Sequence, residues 1–347
     1  MPELYGRDSQ VYLGFRYPFR DLRGPWCIIV LGCARLWGVL MLSWQAMLLN
    51  GFFRITMKRH GKKPINLERL RAMSKNPPRS ALAVPAGYAV ESLRNEQGLQ
   101  FDVADLSRAA PQRPPVIVLY LHGGGYLFGS PKTHRQVLIA MSKAFQAPAY
   151  GLDYRLAPEH PFPAAVEDAA KAYDWLLARH PEADIVLAGD SAGAGLAIAT
   201  AVGVRDAGFK LPKAIVAFSP YSDLAVTGAS VEANARSCAM FTPRGIREAA
   251  AMYLAGADAR DPRASPLYAD LAGLPPMLLF ASRHEILRDD TLRLAERASA
   301  AGVNVQLIVR DRLPHVWPVF VTLLPEARDA FATVTAFARQ IGAHSAA

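Results

Sequence analysis

Three observations predict an α/β fold with a mainly parallel central sheet flanked by helices. From about Ala81 onward, β-rich runs alternate with helical runs, the pattern of a chain whose helices cover both faces of a sheet. The clearest strand, Val116 to Leu121, is apolar at every position, as burial on both faces requires. No repeat of 20 to 50 residues is evident, which sets solenoids and propellers aside. The composition agrees: 347 residues, 51% of them apolar, with Gly and Pro at ordinary levels, exclude a disordered, collagen-like or disulfide-scaffold chain. The expected organisation is an N-terminal segment over residues 1–80, a main body over 81–341 and a short tail, 342–347.

The N-terminal segment carries the charge. The formal net charge is +9, yet residues 1–80 hold 14 Lys+Arg against 4 Asp+Glu, while the rest of the chain holds 25 against 26. A basic excess can indicate nucleic acid or an anionic membrane, but no nucleic-acid motif lies in this segment. Between Pro25 and Phe53 the chain is largely apolar and is broken by Arg35, whose place near the centre of a membrane span would cost about 2.5–3.5 kcal/mol on insertion scales. Cations flank both sides of it, so no orientation is assigned. The apolar core of a cleavable signal peptide is shorter than this and ends at a cleavage site of small residues.

Met41, Trp44, Leu48, Phe52 and Ile55 fall at helical spacing, with Ser43, Asn50, Arg54 and Lys58 mainly on the other side. Such a stripe usually packs on its own domain, which favours helices covering the catalytic body. The competing readings are a membrane-associating part over residues 26–57, for which Lys58-Arg59-His60-Gly61-Lys62-Lys63 would suit anionic headgroups, and an N-terminus assigned too far upstream.

Along the body, Pro111 to Pro115 reads as a loop before the strand Val116–Leu121, which ends in His122-Gly123-Gly124-Gly125-Tyr126. Three glycines directly after a buried strand let the backbone turn sharply and bring unshielded N–H groups close to a ligand. A second strand, Asp184 to Ala188, runs into Gly189-Asp190-Ser191-Ala192-Gly193, and Ala194 to Val204 reads as a helix of small residues. A serine on such a strand-to-helix turn projects its hydroxyl above the sheet. The residues two before and two after it crowd each other unless they lack side chains, a demand Gly189 and Gly193 meet.

An activated serine needs a histidine, and the histidine an orienting acid, in the chain order Ser, acid, His. His284, His315 and His344 follow Ser191. Val305 to Val309 reads as a late strand, and His315 stands in the loop just beyond it, while His344 lies in the polar tail. The acid should follow the strand Pro276 to Ala281, where Glu285, Asp289 and Asp290 compete. Glu285 is nearest the strand end, whereas the two aspartates are placed to open the helix carrying Leu292 to Ala301, where acids are favoured. Three cysteines, Cys27, Cys33 and Cys238, with no Cys-x-x-Cys pair, fit neither a disulfide framework nor a zinc site and point to a reduced, cytoplasmic setting. No metal or other cofactor is expected.

These motifs, together with Asp153-Tyr154-Arg155-Leu156-Ala157-Pro158-Glu159, resemble those of the hormone-sensitive-lipase-like α/β-hydrolases, the bacterial family IV esterases, over residues 81–341. The resemblance implies a serine hydrolase cleaving carboxylic esters of short acyl chains or small molecules, with Ser191 as nucleophile, His315 as base and Glu285 as acid. Backbone N–H groups of Gly123, Gly124 and Ala192 would receive the oxyanion, with His122, Gly125, Tyr126, Asp190 and Glu159 bracing the site. Arg155 is expected to pair with a local carboxylate. The chain departs from its branch of the family at His284, where an aspartate is usual. Residues before about 80 and a segment around 229–257 would form a helical cap, and a homodimer through a sheet edge is a further expectation. Lactone hydrolysis or small-molecule deacetylation would use the same triad. A non-catalytic ligand-binding receptor is the remote alternative, and receptors of that kind lack the working histidine.

Overall fold

The computed structural model describes residues 11–12, 42–59, 63–75, 77–106 and 116–343. The apolar residues 25–41, Cys27, Cys33, the Pro111–Pro115 stretch and His344 lie outside the described residues. The strands are β1 (Val11–Tyr12), β2 (Tyr88–Arg94), β3 (Gln100–Leu106), β4 (Val116–Leu121), β5 (Ala149–Asp153), β6 (Asp184–Asp190), β7 (Ala214–Phe218), β8 (Met277–Ser282) and β9 (Val305–Arg310). They form one sheet in the order β1-β9-β8-β7-β6-β4-β5-β3-β2. The six strands from β5 across to β9 are parallel, and β1, β2 and β3 pair antiparallel at the edges.

The helices are α1 (Trp44–Phe53), continued by a π-helical turn at Arg54–Lys58, α2 (Leu67–Lys75), α3 (Arg79–Leu82), α4 (Arg135–Phe145), α5 (Ala164–Arg179), α6 (Ala192–Asp206), α7 (Ser230–Ala233), α8 (Pro243–Leu254), α9 (Arg288–Ala300) and α10 (Pro325–Gln340). The alternation along β4 shows why its sequence is apolar throughout. Ile117, Leu119 and Leu121 join a core with α5, α6 and α9, whereas Val116, Val118 and Tyr120 join a second core with α4 and α10. Each such aliphatic side chain taken out of water contributes about 1.5–3 kcal/mol.

Strand register places the site. Leu121 lies opposite Gly189, so the loops leaving β4 and β6 start side by side, and Ser282 lies opposite Arg310 at the ends of β8 and β9. All the candidate loops therefore open at the carboxyl edge of the parallel strands, where α/β sheets hold their ligands.

The N-terminal helix corrects an expectation. The stripe read as core-facing points outward: Trp44, Leu48, Phe52 and Ile55 are each more than half exposed, as is Met47, while Met41 lies outside the described residues. The side read as polar faces the body. Ser43 bonds Glu326 through both its N–H and its hydroxyl, Asn50 donates to the Arg312 carbonyl, and Arg54 and Lys58 donate to the carbonyls of Arg236, Ser237 and Cys238. Only Ala46 and Phe53 of α1 are buried. The body offers this helix carbonyls and a carboxylate, and those groups select donors; Phe53 then fits beside Phe320, Ala239 and Met240.

Candidate active site

Ser191 stands between β6 and α6 with φ 51° and ψ −120°. A non-glycine residue tolerates that conformation only where its surroundings hold it. Here Ser191 N–H donates to the Phe218 carbonyl and the Ser191 carbonyl accepts from Tyr221 N–H, both across the sheet edge. A Cβ on Gly189 would come within 2.5 Å of the Gly193 carbonyl oxygen, and one on Gly193 within 2.0 Å of that of Leu121. The glycines at these positions thus permit the turn that presents the serine.

Ser191 Oγ lies 2.9 Å from His315 Nε2, and His315 Nδ1 is hydrogen-bonded to Glu285 Oε2. All three residues are buried. The other Glu285 oxygen accepts from Ser282 N–H at 2.7 Å, and the Ser282 hydroxyl donates to the Leu313 carbonyl, which ties the end of β8 to the histidine loop. Phe241 packs edge-on against the imidazole at 5.1 Å. The competing carboxylates are engaged elsewhere. Asp289 accepts from Ser230 N–H; Asp290, wholly buried, accepts from Ser222 and Asp223 N–H, and burial together with the Asp223 charge holds its pKa well above the carboxylate range. His284 pairs with Asp311 at 3.0 Å and lends its carbonyl to the Ser237 hydroxyl, so the unusual residue makes a surface contact away from the imidazole of His315.

The glycine-rich loop brings one correction. Gly123 N–H donates to Asp190 Oδ1 at 2.9 Å, so it is already committed and cannot also serve an oxyanion. Asp190 Oδ1 also accepts from the Tyr120 hydroxyl at 2.7 Å and lies 3.3 Å from His134 Nε2. Burial alone would raise the Asp190 pKa, but the His134 charge and these hydrogen bonds hold it down. In the same way, burial works to lower His134, and Asp190 with the Ser130 carbonyl outweighs it and raises the value. His122 is pushed down to about 3 by burial and by His134, and it remains neutral, stacked on Tyr154 at 4.2 Å with Nδ1 against the Gly123 carbonyl. Sequence reasoning missed His134. Its only signal is a position at the start of a helix shortly after the glycine motif.

The remaining bracing residues lie around this loop. A Cβ on Gly124 would sit 1.9 Å from the Phe128 carbonyl oxygen, and Gly125 turns the chain with φ 62°. Tyr126 stacks on Tyr253 of α8 at 3.8 Å. Glu159 receives both Arg71 amino groups, at 2.5 and 2.6 Å, and its carboxyl is held at about 2 by them. Arg71 also donates to the carbonyls of Leu127 and Ala157, so Glu159 locks the N-terminal segment to the loop. Arg155 pairs with Asp168 and Glu167, as expected.

Residues 118–319 match the family described as the alpha/beta hydrolase fold. An acetyl-hydrolase of Streptomyces hygroscopicus is 45% identical over 223 residues, 64% of this chain and 75% of its own. An esterase of Acinetobacter venetianus is 34% identical over 228 residues, 65% of this chain and 75% of its own. Among solved structures, an esterase from the bacterial hormone-sensitive lipase family superposes with a TM-score of 0.79 at 39% identity, covering 87% of this chain and 99% of that one. With its parallel sheet and its serine on the sharp turn after β6, the chain belongs to the α/β-hydrolase fold family, among the bacterial hormone-sensitive-lipase-like members, and is an ester-hydrolysing enzyme.

Proposed function

We propose that the protein hydrolyses small-molecule carboxylic esters through a Ser191–His315–Glu285 triad. The hydrogen-bonded chain from Ser191 Oγ to the Glu285 carboxylate carries this reading. Ser191 Oγ attacks the ester carbonyl carbon while His315 Nε2 takes its proton. Glu285 holds the imidazole with Nε2 facing the serine and stabilises the imidazolium that forms. As the tetrahedral intermediate collapses, the carbon–oxygen bond to the alcohol breaks and His315 returns the proton to the leaving oxygen. Water, deprotonated by the same nitrogen, then releases the acid from Ser191.

The oxyanion is received by the amides of Gly124 and Ala192, since Gly123 is spent on Asp190. One such donor is typically worth about 3–4 kcal/mol in the transition state. The contact of Asp190 with Gly123 sets the loop from which the Gly124 amide projects. The cap consists of the N-terminal helices and the 229–257 segment. In support, Arg54 and Lys58 hold the 236–238 carbonyls, Glu248 accepts from Ile65 N–H, and Phe241 rests on His315.

A small acyl group, acetyl above all, is favoured by the 45% identity to a protein named for acetyl hydrolysis. A series of p-nitrophenyl esters of increasing acyl length, run beside a lactone and an acetanilide, tests the substrate class. We expect the acetyl or butyryl ester to lead, and Ser191→Ala to lower its turnover by roughly 10³ to 10⁶. Retained activity in that variant would remove the mechanism, and faster lactone opening would replace the substrate.

A further inference from the structure

We infer that the outward face of α1 and of the π-helical turn after it docks on an anionic lipid surface. Trp44, Leu48, Phe52 and Ile55 follow one another at intervals of four, four and three, with Met47 next to Leu48, so they line one side of the helix. Among the described residues they are five of the nine large hydrophobic side chains left exposed, and Trp44, Leu48 and Ile55 are 63 to 65% exposed. The helix already has its own attachment to the body, through Ser43, Asn50, Arg54 and Lys58 on the opposite side. This apolar face therefore contributes nothing to that docking, although leaving five large side chains in water is costly.

Charge identifies the occupant. Residues 22–67 contain seven Lys or Arg and no Asp or Glu, and Arg59 and Lys63 stand exposed just beyond the apolar face. A second copy of the chain would bring the same positive charge to a twofold contact, and the upstream residues 22–41 add only Arg23 and Arg35 to it. Nucleic acid supplies the counter-charge but no apolar phase for tryptophan, leucine and isoleucine. A bilayer with anionic headgroups supplies both, and an amphipathic helix with aromatic and aliphatic residues on one side and cations at its margin lies in that interface. With 10 residues, α1 is itself too short to span a bilayer and lies on the surface in this proposal; among the described residues no helix is long and apolar enough to cross a membrane. The opposite face of this same element, at Phe53, packs with Met240, and Phe241 beside it covers His315, so the docking helix adjoins the candidate site.

The test is co-sedimentation of the full-length protein with vesicles of phosphatidylcholine alone or of equal parts phosphatidylcholine and phosphatidylglycerol. We expect partitioning at least about 10-fold stronger on the anionic vesicles, weakened by salt, and an equally large loss in Leu48→Asp/Phe52→Asp. Turnover of soluble p-nitrophenyl acetate without vesicles should stay at the parent level in that variant. If the variant fails to fold, Trp44→Gln/Ile55→Gln, on the same face, is expected to show the same loss. No preference for anionic vesicles would overturn the inference. So would undiminished binding by folded variants, which would assign the lipid contact to the upstream chain, or a parent dimer that the variants dissolve, which would assign the face to a second copy. Because binding is read by sedimentation, the result stands apart from the esterase reading, which would fail on turnover of the parent protein alone.

Discussion

Glu285 and Asp289 are four residues apart, yet their surroundings give them different work. Glu285 meets the imidazole of His315 and the N–H of Ser282, whereas Asp289 bonds the start of α7 at Ser230. Glu285→Gln is therefore expected to cost at least about 10²-fold in kcat, since the amide neither holds the charge on the imidazolium nor secures its tautomer. Asp289→Asn should stay within a few-fold. The reverse ranking in steady-state kinetics would move the acid.

His134 meets Asp190, whose Oδ1 also accepts from the Gly123 amide, so it would reach the proposed chemistry only through them. The groups around it are Asp190, the Ser130 carbonyl, the Thr133 hydroxyl, Tyr120 and the neutral ring of His122. Its folded pKa is raised above the ordinary value of about 6.5. The stabilisation it provides is thus complete below that ordinary value and is lost as pH rises through the higher, folded one. His134→Gln should remove this alkaline decline from a plot of melting temperature against pH. It should also lower kcat with little change in KM. An unchanged pH profile would reduce the residue to simple packing.

At the scale of elements, the turn between β6 and α6 and the helix α1 were legible to different degrees. The strand, the glycines at 189 and 193 and the small-residue helix could be read because the constraint is local: the backbone crosses itself within five residues. Gly193→Ala would press a methyl to within 2.0 Å of the buried Leu121 carbonyl oxygen, so about 1–3 kcal/mol of stability, or folding itself, should be lost. Gly203→Ala, in the same helix with nothing within 4 Å of the added carbon, should instead stabilise by about 0.4–1 kcal/mol. Urea denaturation of the two variants compares them directly. α1 was misread because hydrophobic periodicity reports that a helix has two unlike faces, and does not report which one the rest of the molecule can receive. Here the body presents the carbonyls of 236–238 and 312 and the carboxylate of Glu326, and these take the polar face.

Over the whole molecule, the charge and the chemistry occupy separate regions. Apart from β1, the sheet and its loops belong to a part of the chain with nearly balanced charge, and the basic excess belongs to the first 80 residues. Part of that excess is structural: Arg54, Lys58 and Arg71 bind carbonyls and Glu159. Arg59 and Lys63 are exposed and follow in the chain an apolar face that the described residues leave exposed, which is why the lipid test belongs to the intact chain and not to the catalytic body.

The sequence by itself determined the parallel sheet, the serine on its sharp turn, and the order in which Ser191, Glu285 and His315, the proposed triad, follow one another. Those features depend on runs of apolar residues and on turns that only glycine can make, both of which are written in adjacent positions. Only the tertiary structure decided that the Gly123 amide serves Asp190, that His134 reaches the same carboxylate, and that α1 turns its apolar side outward. Each of those outcomes depends on which donor meets which acceptor across the fold, and partners tens of residues apart leave no local pattern to read.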